Sequence, residues 1–314
     1  MGRPLERADG PKDAVEQIVR AVLYEGYLLW PYRASALKNR QRWTLGGVYP
    51  EPYGRARGGD DPWLAQTQCL MEADLRDTLD VRIRFLQLVL CEIDGGVREE
   101  ATEREVAAPG LRLADLVGHP HRLEIDIPPG RDEARSWHAL RGDAEVGAEQ
   151  VRPGVFRVTV TLTNTTDWRG EARQEAQRRA FVSAHIVLIA GGPGFVSQMD
   201  PPDEFRALAE ECRNIGVWPV LVGEEGERHT MLASPIIIYD HPKIAPESPG
   251  DLYDATEIDQ LLRLSVLSLS DEERQEIRAG DPRGREILDL CEGLSPDQLM
   301  LLHGALRDVR GVTT

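Results

Sequence analysis

The chain has 314 residues, 41% hydrophobic and 29% charged, which is enough for a large core or two domains. Its net charge of −16 argues against nucleic acid and against an anionic membrane surface as partners, because both require a basic face. No apolar run reaches the ~20 residues of a membrane span, and residues 1–12 lack the apolar stretch of a signal peptide, so the sequence predicts a cytoplasmic protein that does not bind membranes.

The N-terminal part of the chain is predicted to be helical. Apolar residues recur at helical spacing over residues 11–29, and Pro31 is expected to end this helix. Residues 44–63 are rich in Gly, Pro and Tyr, which indicates a loop.

The middle of the chain changes to the alternation of β-strands. About six or seven strands are predicted, at residues 67–73, 79–93, 122–127, 155–163, 181–192, 217–222 and 230–239. Short helices are predicted at residues 111–117 and 202–214, a helix or long loop at residues 169–179, and a solvated linker at residues 97–108. Because crossover helices are missing, the pattern favours an antiparallel sheet or sandwich over a parallel sheet.

The C-terminal part of the chain returns to helical periodicity from Thr256 onwards. Ser270 and Ser295 each stand at the start of a segment with acidic residues in its first turn, which is typical of a helix N-terminus. The predicted fold is therefore α+β. It has a β-rich core domain with an N-terminal helix at residues 1–255 and a helical C-terminal segment at residues 256–314.

Candidate metal ligands are few. The four cysteines are widely separated, which favours reduced and mostly buried thiols. His119 and His121 share one side of an extended segment and can be metal ligands or two solvated histidines. His185 lies on an apolar strand and is predicted to be a hydrogen-bonded core residue. Phosphate-binding loops and common hydrolase motifs are missing, and no cofactor is expected.

The loop at residues 239–254 concentrates acidic residues around one histidine: Asp240, His241, Glu247, Asp251 and Asp254. A carboxylate beside an imidazole can act in acid–base chemistry or bind a hard cation. Three prolines in the same loop favour the alternative, a stiff connection between the sheet and the C-terminal helices.

The stretch at residues 24–43 combines aromatic rings with fixed cations. Its candidate binding residues are Trp30, Tyr32, Arg33, Lys38, Arg40, Arg42 and Trp43. Tyr, Trp and Arg are the residues enriched at the energetic centres of protein interfaces. Three interpretations stay open: a packed helix followed by a solvated basic turn, a docking surface for a partner, and a site for a small anion.

Two long phrases carry a family resemblance. "LYEGYLLWPYRASALKNRQRWTLGGVYP" at residues 23–50 and "LASPIIIYDHPKIAPESPGDLYDATEID" at residues 232–259, with "TLTNTTDW" and "FVSQMDPP" between them, resemble a conserved bacterial family associated with nickel–iron hydrogenase gene clusters of the actinobacterial type. The resemblance implies an accessory role in hydrogenase maturation or assembly, with hydrogenase subunits or maturation factors as partners. It implies no catalytic residues, and the cysteines do not fit those of a hydrogenase subunit.

The leading hypothesis is a non-enzymatic docking protein, in which the arginines and Lys38 meet carboxylates of a partner. The alternative is a metal-dependent enzyme or small-anion-binding protein that uses Asp240, His241 and Glu247 with Arg40 or Arg42. A third hypothesis is self-assembly into a homo-oligomer, through exposed edges of strands such as residues 155–163.

Overall fold

The computed structural model describes residues 46–58, 61–93, 96–132 and 134–242, together with single positions between 16 and 23 and between 274 and 288. Close contacts divide the chain into two compact units: Met1–Glu25 with Trp43–Pro242, and Gly26–Arg42 with Lys243–Thr314. The strands and helices given below belong to the first unit. The predicted boundary at residue 255 and the predicted C-terminal helices lie outside the described ranges, apart from single positions.

Strands dominate the described part of the chain. They are β1 (Leu64–Glu72), β2 (Thr78–Ile93), β3 (Gly96–Arg112), β4 (His121–Ile127), β5 (Gly130–Arg131), β6 (Arg135–Trp137), β7 (Leu140–Arg152), β8 (Val155–Asn164), β9 (Val182–Ala190), β10 (Gly194–Phe195), β11 (Trp218–Val222) and β12 (Thr230–Ser234). The short helices are α1 (Glu51–Ala56), α2 (Leu113–Leu116), α3 (Arg173–Gln177) and α4 (Arg206–Glu210). None of these helices is long and apolar enough to cross a membrane.

The described strands form two antiparallel sheets. One has five strands in the order β10-β1-β8-β7-β4. The other has seven strands, in which β11, β12, β9, β2, β6 and β5 follow one another and β3 pairs with β2. The predicted β-rich α+β class is therefore confirmed. Of the predicted N-terminal helix only single positions are described, and among these Ile18, Val19 and Leu23 are buried.

One apolar core lies between the two sheets. Strand β8 contributes alternate residues that are fully buried, including Phe156, Val158 and Val160. Within this core, Phe85 of β2 meets Phe181, which directly precedes β9 of the same sheet, edge to face with the ring centroids 4.7 Å apart. This alternation confirms the predicted half-buried strand at residues 155–163. Strand β8 pairs with β1 on one side and β7 on the other, so the prediction that it offers an exposed edge was wrong.

Strand β3 corrects the prediction of a solvated linker at residues 97–108. It pairs with β2 from Gly96 to Arg112, as the second arm of a long hairpin. Its sequence is rich in Glu and Arg, and such charges are typical of edge strands because they oppose pairing with other chains. The composition that indicated a linker is therefore that of a charged edge.

Three smaller differences have local causes. The loop predicted at residues 44–63 contains α1, with Pro at the favoured start of the helix and Glu51 in its first turn. The strand predicted at residues 230–239 ends at Ser234, because Pro235 has no N–H to donate to a ladder. The helix predicted at residues 202–214 forms only over Arg206–Glu210.

Candidate functional site

The predicted docking residues Trp30, Tyr32, Arg33, Lys38, Arg40, Arg42 and Trp43 lie outside the described residues and stay predictions. The first continuous described range starts at Gly46. Gly46 packs directly on Pro235, because a Cβ at this position would lie 2.4 Å from the proline ring. Pro235 in turn precedes the acidic loop at residues 239–254. Gly46 and Pro235, which belong to the two segments that carry the resemblance, are therefore in contact.

The first residues of the acidic loop are held by the protein itself. One oxygen of Asp240 accepts the backbone N–H of Leu221 at 2.7 Å, and the other accepts the hydroxyl of Ser197. The backbone N–H of His241 donates to the Leu221 carbonyl at 2.7 Å. One carboxylate oxygen thus fastens the chain to β11, and the other fastens it to Ser197 after β10. This geometry favours the stiff connection over a metal site at Asp240. Glu247, Asp251 and Asp254 lie outside the described residues.

The histidines are placed as follows. His119 and His121 are both exposed, and no group of three or more His, Cys, Asp or Glu side chains is arranged around a metal position in the described part of the chain.

His185 is fully buried, with Nδ1 2.6 Å from the Ser183 carbonyl and Nε2 3.3 Å from the Ser234 hydroxyl. The prediction of a hydrogen-bonded core histidine is confirmed. Burial lowers the pKa of His185 to about 4, so the imidazole is neutral near pH 7.

The described cysteines match the expectation of reduced thiols. Cys69 and Cys91 are buried, Cys212 is half-buried, and none of the three forms a disulfide. Burial raises the pKa of both the Cys69 and the Cys212 thiol, which makes these side chains poor nucleophiles.

The strongest concentration of binding chemistry in the described residues surrounds α1. We call it the aromatic–arginine cluster. It pairs each of four rings with one guanidinium and comprises Tyr49, Tyr53, Trp63, Trp168, Arg55, Arg57, Arg173 and Arg179. The shortest of these contacts places the Arg55 guanidinium carbon 4.3 Å from the Trp63 ring centroid.

A buried carboxylate organises the interior of the cluster. Asp61 is only 4% exposed, and it accepts the Tyr53 hydroxyl at 2.9 Å and Arg173 Nε at 3.0 Å. Burial and this hydrogen bond to Asp61 raise the pKa of Tyr53. Burial raises the pKa of Tyr49 to about 12, so its phenol stays protonated. The buried Tyr49 hydroxyl has no hydrogen-bond partner within the described ranges.

On the outside of the cluster, arginine side chains lie over aromatic rings. Arg55, Arg57 and Arg173 are exposed, while Trp63 and Trp168 are half-buried beneath them. Arg57 is held in place by a 2.8 Å hydrogen bond from Nη2 to the Glu171 carbonyl. Stacking on a ring leaves the in-plane N–H groups of a guanidinium able to bond carboxylates. Arg55 already pairs with Glu51, Arg173 with Asp61 and Arg179 with Glu175, so acidic side chains of a partner would bond the N–H groups that these ion pairs do not use.

Sequence reasoning missed this cluster because its members come from two distant segments, residues 49–63 and 168–179. A local signal existed. The segment "YPEPYGRARGGDDPW" combines Tyr, Trp and Arg in the way that singled out residues 24–43. The role of residues 168–179 depends on the pairing of the sheet, which the local pattern does not show.

No protein-family model and no curated protein matches this sequence. The function is therefore argued from the residues and their geometry.

Proposed function

We propose that the protein is a non-catalytic accessory protein that docks onto a protein partner during maturation or assembly of a nickel–iron hydrogenase. The hydrogenase context comes from the resemblance of residues 23–50 and 232–259. The docking role is supported by one observation above all, the aromatic–arginine cluster around α1. Its exposed guanidiniums and half-buried rings have the composition of an interface hot spot.

The predicted docking segment at residues 30–43 stays a second, separate candidate for partner binding. The protein as a whole is acidic, with a net charge of −16. Arginines gathered at one place on an acidic body favour one orientation of an acidic partner, although three of the four also pair with carboxylates of the protein.

The test is affinity purification of the tagged full-length chain from its source organism, followed by mass spectrometry and measurement of Kd for the partner found. Hydrogenase subunits or maturation factors are expected in the eluate. The double variant Arg55→Ala/Arg57→Ala is expected to weaken the complex at least tenfold with little change in Tm, because both side chains are exposed. Arg40→Ala/Arg42→Ala is expected to behave similarly.

A matched control is Arg76→Ala/Arg213→Ala, which removes two exposed arginines outside the cluster and should leave Kd unchanged. A Kd unchanged in both Arg55→Ala/Arg57→Ala and Arg40→Ala/Arg42→Ala, or a chain that elutes alone, would refute the docking role. Failure of Arg40→Ala/Arg42→Ala to fold would instead assign these two arginines to structure.

The alternative proposal is a metal-dependent enzyme or small-anion-binding protein. It retains Glu247 and Asp251 as ligands and Arg40 or Arg42 as the anion-binding groups. It gains less support, because both oxygens of Asp240 already accept hydrogen bonds from the protein. Elemental analysis of the purified chain tests it, with a stoichiometric metal that is lost in Glu247→Gln as the supporting result.

A further inference from the structure

A second candidate site lies on the outer face of the seven-stranded sheet, within the first compact unit. It is a cavity of about 320 Å³ lined by apolar side chains of β9, Val187 and Ile189, and by Val19. Charged side chains of both signs surround this apolar surface, among them Asp80, Arg82 and Glu227. This volume is at the lower end of ligand pockets in proteins, so it suits a small molecule.

Arg82 is the unusual member of this set. Its neighbours across the two adjacent strands are Val187 of β9 and Ala107 of β3, so no carboxylate stands directly beside it in the sheet. The half-buried Arg82 side chain has no hydrogen-bond or ion-pair partner in the part of the chain that the structure describes. A half-buried guanidinium without a partner is poorly solvated and is a ready site for a carboxylate.

Arg84, the next arginine on the same strand face, is fully paired with carboxylates. The Arg84 guanidinium forms ion pairs with three carboxylates, those of Glu16, Glu103 and Glu105. Arg84 is thereby neutralised and fixed as part of the structure. The contrast separates a structural arginine from one that is available to a ligand.

The two acids of the cavity are only partly used. Asp80 accepts the backbone N–H of Gly110 through one oxygen at 2.7 Å. Glu227 accepts the backbone N–H of Glu224 through one oxygen at 3.2 Å. Each carboxylate has a second oxygen to which the described residues make no hydrogen bond. Glu16 and Arg84 also line the cavity but pair with each other. Among the described residues, the cavity therefore offers one cation without a partner, Arg82, two acceptors for an ammonium and an apolar floor.

We propose that this cavity binds a small zwitterion with an apolar side chain, the chemistry of a free aliphatic α-amino acid. The carboxylate pairs with Arg82, the ammonium lies at Asp80 and Glu227, and the side chain covers Val187 and Ile189. Asp80 and Arg82 alternate on one strand face and are about 7 Å apart, a spacing that the adjacent charges of an α-amino acid can bridge. This inference is independent of the docking surface.

Simpler ligands fit the charges less well. A plain carboxylate would satisfy Arg82 but would face Asp80 and Glu227 with like charge. A plain amine would satisfy the acids and leave the guanidinium without a partner. A zwitterion satisfies both sets, which is why binding is expected to require both of its charges.

The experiment is isothermal titration of the full-length protein with L-leucine, 4-methylpentanoate and 3-methylbutan-1-amine, which share one aliphatic body. Leucine is expected to bind at least tenfold more tightly than either single-charge analogue. Arg82→Gln is expected to weaken leucine binding at least tenfold, whereas Arg76→Gln, an exposed arginine in a turn, should leave it unchanged.

A second variant keeps the test decisive if Arg82→Gln does not fold. Asp80→Asn preserves an acceptor for Gly110 and removes the charge, so it should abolish the preference of the site for leucine over 4-methylpentanoate. Equal binding of all three probes, tighter binding of the amine, or no binding of leucine at millimolar concentration would overturn the proposal.

Discussion

Replacement of Asn164 by alanine is expected to lower the free energy of unfolding by about 4 kcal/mol, since three buried hydrogen bonds are lost together. The Asn164 amide donates to the carbonyls of Val48 and Arg179, both at 2.8 Å, and its oxygen accepts the N–H of Thr166 at 3.0 Å. Asn164 is fully buried, so alanine removes the side-chain partner of the Arg179 carbonyl and of the Thr166 N–H, while the Val48 carbonyl keeps the Phe181 N–H at 3.0 Å.

Urea unfolding at neutral pH measures this loss. Thr165→Ala is the matched control, because Thr165 is exposed and it is its backbone N–H that donates to the Arg141 carbonyl at 3.0 Å. A loss below about 1 kcal/mol for Asn164→Ala would mean that the Arg179 carbonyl and the Thr166 N–H find other partners. Because Asn164 joins the segment before α1 to the segment after α3, the same variant is expected to loosen the aromatic–arginine cluster and weaken docking.

Acidification from pH 7.5 to 4.5 is expected to cost the wild-type protein about 2.5 kcal/mol more stability than it costs His185→Gln. The reference pKa of histidine is about 6.5, and burial lowers the pKa of His185 to about 4 in the folded protein. Between these two values the unfolded chain binds a proton that the folded chain does not. This contribution to stability is therefore fully present above pH 6.5 and is lost as the pH falls towards 4.

Urea unfolding of both proteins at the two pH values isolates this contribution, because titration of the carboxylates is common to both. His229→Gln, in which an exposed histidine is replaced, should keep the pH dependence of the wild type. If His185→Gln shows the same acid sensitivity as the wild type, His185 does not control it.

The sequence predicted strands best where one face of a strand meets the core and the other does not. Strand β8 alternates between fully buried apolar residues and partly exposed threonines, and its bounds were predicted to within one residue. Strand β2 was also predicted, because its apolar residues extend over both faces towards its end. In these strands the pattern of apolar and polar side chains alone indicates which face is buried.

Strand β7 was not predicted, although it has thirteen residues. Its inward positions carry small residues such as Gly142 and Ala144, because bulky neighbours fill the space. A Cβ at Gly142 would lie 2.6 Å from the ring of Phe181. Small residues interrupt the apolar alternation that Leu140 and Val146 begin, so this strand becomes evident only when its partner is known.

The candidate site shows the same limit. Asp240 attracted attention as a ligand, but its role is set by Leu221 and Ser197, which lie 19 and 43 residues away in the sequence. The aromatic–arginine cluster likewise joins segments more than 100 residues apart, as the bond from Arg173 to Asp61 illustrates. Composition can identify residues suited to binding, whereas tertiary pairing decides which of them are already occupied.

The pairing of β1 has a consequence for synthesis on the ribosome. Leu64 pairs with Thr163, and Met71 pairs with Phe195, so both partners of β1 are made roughly 100 residues after it. At about 5–20 residues per second, β1 is exposed for on the order of 5–20 s before β8 and β10 can cover it. The β2–β3 hairpin forms from adjacent sequence and needs no such delay. During this interval the nascent chain therefore exposes the apolar side chains of β1. The neighbouring β2–β3 hairpin is already formed, and the charges of β3 oppose pairing with other chains.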